Sequence, residues 1–148
     1  MSTPKRILLT GHRGYIGSVM APYLVERGYD VVGLDTGYFS ECTLVEDAVT
    51  IPEIRRDLRD VTAADLAGID AVVHLGALSN DPIGNLNEGW TEEINHEATV
   101  RLAELARDAG ARRFLFSSSC IMYGMAAAEV VDETAPLDPK TEYARSKV

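Results

Sequence analysis

Apolar residues in this chain come in short unbroken runs, separated by stretches with helical periodicity. Arg6–Thr10 (RILLT) reads as a buried strand, and a glycine-rich turn, Gly11–Gly17, follows it. A helix is predicted over Tyr15–Arg27, with Ile16, Val19, Met20, Tyr23 and Leu24 on its apolar face. Gly28 stands where a helix C-terminal glycine belongs, and Pro22 predicts a kink because it deletes one helical hydrogen bond. Asp30–Leu34 is a second strand running into Asp35, a loop runs through Thr43, and a short third strand is expected near Val49–Ile54. Thr62 and Asp65 have capping-box spacing for a short helix that Gly68 closes. Ala71–Leu75 is a fourth strand, Thr91–Ala109 the longest helix, and Phe114–Ser118 a fifth strand. A loop over 124–138 and a helical start at Thr141–Lys147 complete the pattern.

Strands that are apolar at consecutive positions are covered on both faces. Alternating with helices, they predict an α/β fold with a doubly wound parallel sheet. The length of 148 residues suits one domain of ordinary size. With 46% hydrophobic and 25% charged residues, the composition is that of a folded globular chain.

The charge balance narrows the partners. Fourteen Lys and Arg against 23 Asp and Glu give a formal charge of −9, and the deficit is shared by both halves of the chain. No basic stripe is present to neutralise the backbone of a nucleic acid, so DNA and RNA are not expected as partners. A phosphorylated small molecule remains compatible, because backbone N–H groups at a helix start bind anions without net positive charge. Cys42 and Cys120 lie far apart and form no C-x-x-C pair, which predicts a reducing, cytoplasmic setting. No run of about 18 apolar residues suggests a membrane span. His12, His74 and His96 do not have metal-site spacing.

Two constellations carry chemistry. Gly11, Gly14 and Gly17 follow the first strand and open the first helix, as a turn must if backbone is to approach a pyrophosphate at a helix N-terminus. Asp35 lies at the tip of the second strand, where a carboxylate accepts from adenosine ribose hydroxyls and repels a 2′-phosphate. Together these predict dinucleotide binding with NAD favoured over NADP. Tyr143 and Lys147 are four apart and share a helical face, and Ser119 falls at the carboxyl end of the fifth strand, where open α/β sheets bind ligands. A tyrosine titrating near about 10 is a poor base at neutral pH. A neighbouring ammonium and a cationic nicotinamide both favour its phenolate, and Ser119 can hydrogen-bond the same substrate oxygen.

Other residues have plainer readings. His12 either touches phosphate or is a solvated loop side chain. Cys120 reads as a packed thiol, Met122 and Tyr123 as site wall or core, Trp90 as a packing anchor, and Glu92 and Glu93 as acids at a helix N-terminus. Asn80 and Asp81 read as a turn, with substrate contact as the alternative.

With these residues in view, the chain resembles the extended short-chain dehydrogenase/reductase family, in particular its NAD-dependent nucleotide-sugar epimerases and dehydratases, over essentially its whole length. TGHRGYIG (10–17) is similar to the family's TGxxGxxG, which implies cofactor contacts for Gly11, Gly14, Tyr15, Ile16 and Gly17. DLRD (57–60) resembles the segment that meets adenine, implying that role for Asp57 and Leu58. HLGA (74–77) resembles HxAA beside the cofactor, implicating Leu75, Gly76 and Ala77. Asn95 matches the central-helix asparagine that supports the active site and borders the cofactor. FSSSCIMYG (116–124) resembles the strand ending in the catalytic hydroxyl, here Ser119, and YARSK (143–147) matches YxxxK, which places Tyr143 and Lys147 on both the reacting sugar and the cofactor ribose.

The resemblance implies a Rossmann-like NAD-binding domain over 1–148, holding the first five strands of a larger sheet. It also implies truncation inside the YxxxK helix and absence of the substrate-binding part. The implied activity is epimerisation of a nucleotide-diphosphate sugar through transient hydride transfer and a keto-sugar, by a homodimer when full length. Net dehydrogenation or reduction, dehydration, and a non-catalytic NAD-binding module are the alternatives. Cys120 and Ile121 stand where sugar 4,6-dehydratases carry an Asp-Glu pair, which disfavours that reaction. Ser79 replaces a lysine of galactose epimerases, which leaves the sugar open.

Overall fold

The structure is a computed structural model and describes residues 5–42, 49–79, 82, 86–125 and 130–148. Asn80 and Asp81 lie outside the described residues, as does part of the 124–138 loop. The chain groups into two compact units. One comprises Met1–Gly76 with Thr99–Ser117, and the other Ala77–Ala98 with Ser118–Val148.

In the first unit, strands β1 (Arg6–Thr10), β2 (Asp30–Asp35), β3 (Glu53–Arg55), β4 (Ala71–His74) and β5 (Arg113–Phe116) form one parallel sheet. Their order is β3-β2-β1-β4-β5. The chain therefore builds outward from β1 in one direction, then returns to add β4 on its other side. The gap between β1 and β4 is the switch point at whose carboxyl ends open α/β sheets take ligands. Ile7, Leu8 and Leu9 are all buried, as are Val31, Val32 and Leu34, because both faces of the central strands are covered. The third strand starts later than expected, and the fifth lies one residue nearer the N-terminus and ends two earlier. A 3₁₀ turn at Leu58–Asp60 is additional to the expected elements. The predicted short helix at 62–65 is a second 3₁₀ turn, Ala63–Leu66, where the Asp65 carboxylate accepts from Thr62 N and Oγ1.

Helix α1 (Tyr15–Glu26) runs through Pro22 and ends before Gly28. Its buried positions are Gly17, Ala21 and Leu24; Ala21 and Leu24 pack with Ile7, Leu9 and Val31. The predicted apolar face holds at Leu24 and at Met20, which packs against the same cluster, and is corrected at the other three positions: Ile16 is 54%, Val19 67% and Tyr23 48% exposed. The reason is distance. A Cβ on Gly17 would lie 2.2 Å from Gly11 O and 2.5 Å from His12 Cα, so only small residues let the helix come this close. Hydrophobicity alone favours Ile16, Val19 and Tyr23, but the approach at Gly17 turns the Gly17, Ala21 and Leu24 side inward.

The long helix starts earlier than predicted. Asn87 caps α2 (Glu88–Thr91) by accepting from Gly89 N at 3.0 Å. A π-helical stretch, Glu92–Glu97, follows, and α3 (Ala98–Asp108) leads to Gly110. Glu92 and Glu93 thus lie one turn beyond the N-terminus. Thr91 takes the buried position, and Trp90 is exposed rather than a packing anchor.

Gly17→Ala should lower unfolding stability by about 2–3 kcal/mol or more, since overpacking a closed site outweighs the helical preference for alanine. Gly14→Ala should cost under about 1 kcal/mol, because its Cβ would lie 3.2 Å from one carbonyl oxygen and meet nothing else. Urea denaturation of both variants checks the ranking, and equal losses would refute it.

Candidate active site

The first unit assembles a cradle at the switch point. Gly11 N donates to Leu34 O at 2.8 Å, and Gly14 N to Gly11 O at 3.0 Å, so the turn folds back over the end of β2. Gly11 has φ +68°, and a Cβ there would sit 2.8 Å from Gly76 N. Backbone from the end of β1 and from beyond β4 is therefore in direct apposition. A Cβ on Gly76 would in turn meet Leu58 Cδ1 and Thr10 Oγ1 at 3.2 Å. Gly14 precedes α1 with no side chain capping the helix, and its first turn holds no acid. An uncapped helix start without an acid, carrying the N–H groups of its first turn and a positive dipole end, is the arrangement that receives an anion.

A buried hydrogen-bond chain ties the strand ends together. Thr10 Oγ1 accepts from Leu75 N at 3.2 Å and Gly76 N at 3.1 Å. Its own hydrogen is therefore directed to His74 Nδ1, 2.7 Å away, because a hydroxyl has two acceptor sites and one donor. His74 then carries its proton on Nε2 and donates to Thr99 Oγ1 at 2.8 Å. Its ring also lies beside Phe114 and Phe116. His74 is structural in this chain, and what it holds is the Leu75–Gly76 backbone.

Two carboxylates flank the cradle. Asp35 accepts from Gly37 N at 2.8 Å and Arg13 N at 3.2 Å. Asp57 accepts from Arg59 N at 2.9 Å and from both Nε and Nη2 at 3.0 Å. The Arg59 side chain, and then its backbone, hold Asp57 below the usual carboxylate range against the upward push of burial. This fixes the turn that presents Leu58, and Arg101 of α3 donates to the carbonyls of Arg59 and Val61 behind it. His12 is not a solvated loop side chain. It is buried, with Nε2 3.0 Å from Glu53 Oε2.

The second unit gathers the other predicted residues. Helix α4 (Glu142–Arg145) is shorter than expected and is capped by Thr141, whose Oγ1 accepts from Ala144 N at 3.1 Å. Tyr143 lies on α4 and Lys147 just beyond it. Their shared face survives, with Lys147 Nζ 5.7 Å from the centre of the Tyr143 ring. Lys147 is 5% exposed, and burial pulls its ammonium from 10.5 down to about 8. Ser119 caps a 3₁₀ turn, Cys120–Tyr123, that packs against α4. Cys120 is exposed, not packed, while Met122 and Tyr123 are half-buried.

Asn95, on the π-helical stretch and 1% exposed, is the hub of this unit. Its Oδ1 accepts from Leu78 N at 2.8 Å, and its Nδ2 donates to Leu78 O at 3.0 Å and Ser146 Oγ at 3.2 Å. Ser146 Oγ donates to Tyr143 O at 2.9 Å, and Ser118 Oγ to Lys147 O at 2.5 Å. Asn95 thereby fixes the segment beyond Ala77 and the backbone between Tyr143 and Lys147. Ser118 and Ser146 carry no motif of their own in the sequence. Their only signal is adjacency to Ser119 and Lys147, and it is the fold that gives them a task.

Comparison with known proteins fits this geometry. Residues 7–148 match the model of the NAD dependent epimerase/dehydratase family. The UDP-glucose 4-epimerase of Mycolicibacterium smegmatis is 32% identical over 150 residues, covering 97% of this chain and 48% of that protein. The UDP-glucose 4-epimerase of Thermus thermophilus, solved with NAD, superposes with a TM-score of 0.80 at 28% identity, over 96% of this chain and 47% of that one. An NAD-dependent NDP-hexosamine 5,6-dehydratase of tunicamycin biosynthesis gives 0.86 at 27% identity, covering 96% and 46%. The chain thus spans about half the length of the relatives it matches. A family model matched over residues 7–148 places this chain in the NAD dependent epimerase/dehydratase family.

Proposed function

We propose that this chain is the NAD-binding portion of an epimerase acting on a nucleotide-diphosphate sugar. The observation that carries the reading is the buried Lys147 ammonium beside the Tyr143 ring. The residues of the first unit fit NAD. The open start of α1 and the glycine-lined cradle suit a pyrophosphate, Asp35 suits ribose hydroxyls, and Asp57 with Leu58 suits adenine. Leu75 and Gly76, held by Thr10, suit the nicotinamide half, as does Ala77, next to the Leu78 backbone that Asn95 holds.

Bound there, NAD would supply the group that accepts a hydride from the sugar carbon and gives it back. Tyr143 takes the proton from the sugar hydroxyl as that carbon is oxidised, and gives it back on reduction. Lys147 stabilises the phenolate and would hold the nicotinamide ribose, which makes it both a catalytic and a cofactor-binding residue. Ser119 hydrogen-bonds the reacting oxygen, and Asn95 positions the Tyr143–Lys147 backbone. A redox-neutral cycle is favoured by the sugar epimerases among the relatives. Dehydration is the second reading, supported by the 5,6-dehydratase likeness.

Incubating the full-length protein with UDP-, dTDP- and GDP-sugars, with NADH followed by absorbance, decides between these readings. Epimer formation without net NADH is expected, whereas NADH equal to product would overturn it and dehydrated product would favour the second reading. Tyr143→Phe should lower turnover by about 10²–10⁴-fold with NAD affinity nearly unchanged, while Gly14→Ala should fold and lose NAD affinity. Survival of turnover in the phenylalanine variant would remove Tyr143 as the base.

Lys147 adds a pH test. Its folded value is depressed, so the unfolded chain binds more protons between about 8 and 10.5, and stability rises with pH across that window. Lys147→Met should abolish turnover yet raise the unfolding midpoint of the cofactor-free protein at pH 7. That advantage should shrink as pH climbs from about 8 toward 10.5. A variant less stable than the parent at pH 7 would contradict the burial cost.

A further inference from the structure

Arg13 begins at the ribose corner and then leaves it. Its backbone N–H donates to Asp35 Oδ2 at 3.2 Å, so its side chain starts beside the carboxylate that suits the ribose. A guanidinium in that position is the group a 2′-phosphate would recruit, through paired charge-assisted hydrogen bonds. In this chain the guanidinium instead lies on β3, with Nε and Nη2 both 2.6 Å from Glu53 Oε2. His12 Nε2 reaches the same oxygen at 3.0 Å. The arrangement is built into the sheet. Glu53 pairs in register with Gly33 of β2, and a Cβ on Gly33 would lie 2.6 Å from the His12 ring. Burial pushes the Glu53 carboxyl up, but hydrogen bonds and charge from Arg13 and His12 more than offset it, so Glu53 stays ionised at neutral pH. The second guanidinium near Asp35, that of Arg55, donates to the carbonyls of Thr36 at 3.2 Å and Gly37 at 3.4 Å.

We propose that Glu53 is a specificity-determining residue, which withholds the Arg13 guanidinium from the ribose corner and so acts with Asp35 to exclude NADP. The proposal rests on the dinucleotide reading of the cradle and assigns the exclusion to two carboxylates rather than one. Asp35 repels the 2′-phosphate directly. Glu53 acts by holding the natural counter-ion of that phosphate, the Arg13 guanidinium.

The test is a binding cycle on the full-length protein, titrating NAD⁺ and NADP⁺ by calorimetry. Glu53→Gln removes the charge, and Glu53→Asp keeps the charge but shortens the reach to Arg13. Both should improve NADP⁺ affinity relative to NAD⁺, Glu53→Gln by about tenfold, the size of one hydrogen bond to a charged group. Arg13→Ala in the parent should move that ratio less than about twofold. The same change combined with Glu53→Gln should abolish the gain. An unchanged ratio in both Glu53 variants overturns the proposal. So does a gain that persists without Arg13, which would be a general charge effect. A parent that binds neither nucleotide instead overturns the dinucleotide reading itself. Melting temperatures without nucleotide show that each variant is folded.

Discussion

The cradle depends on how closely two pieces of backbone approach at the carboxyl end of the sheet. Gly11 and Gly76 stand in such contact that no side chain fits between them. That approach would leave the N–H of Gly76 without a strand partner, and Thr10 Oγ1 accepts it. Because Thr10 also takes the N–H of Leu75, its hydrogen must go to His74. One steric fact thus propagates into a defined protonation pattern through Thr10, His74 and Thr99. Each such bond is worth only about 1 kcal/mol net, but a buried orphan would cost more, so the chain is held by what its absence would leave unpaired. The uncapped start of α1 is the complementary choice, an end of a helix left without an internal partner.

The second unit turns on a different constraint, the burial of an ammonium. Taking Lys147 out of water lowers its affinity for a proton, and the unit accepts that cost around the Tyr143–Lys147 segment. Hydrogen bonds from Asn95, Ser118 and Ser146 hold the backbone on either side. The π-helical stretch carrying Asn95 fits this picture, since local departures from α geometry are frequent at functional sites. Burying this ammonium gives up stability, a departure from local rules of the kind common at functional positions.

Much of this could be read from residue order. The first strand, the glycine turn, Asp35, the fourth strand and the Tyr143–Lys147 pairing follow from periodicity and spacing, because each depends on neighbours a few positions away. The misreadings share one cause. The exposed Ile16, Val19 and Tyr23, the exposed Trp90 and Cys120, and the buried His12 all concern which side of an element meets which partner. Periodicity identifies a helix, but the width of the gap it faces selects the residues that fill it. For α1 that gap admits Gly17, Ala21 and Leu24 and leaves Ile16, Val19 and Tyr23 outside.

What the sequence determined alone was the type and order of the elements and the chemistry available at their ends, since those depend on local propensity, spacing and residue type. What only the tertiary structure decided was how each polar group is used. Arg13 is bound to Glu53, 40 positions away, His74 links Thr10 to Thr99, and Asn95 serves the backbone around Lys147. Hydrogen bonds and ion pairs act over about 3 Å, and residues that close in space are brought there by strand pairing across dozens of positions. No local pattern in the chain encodes that proximity.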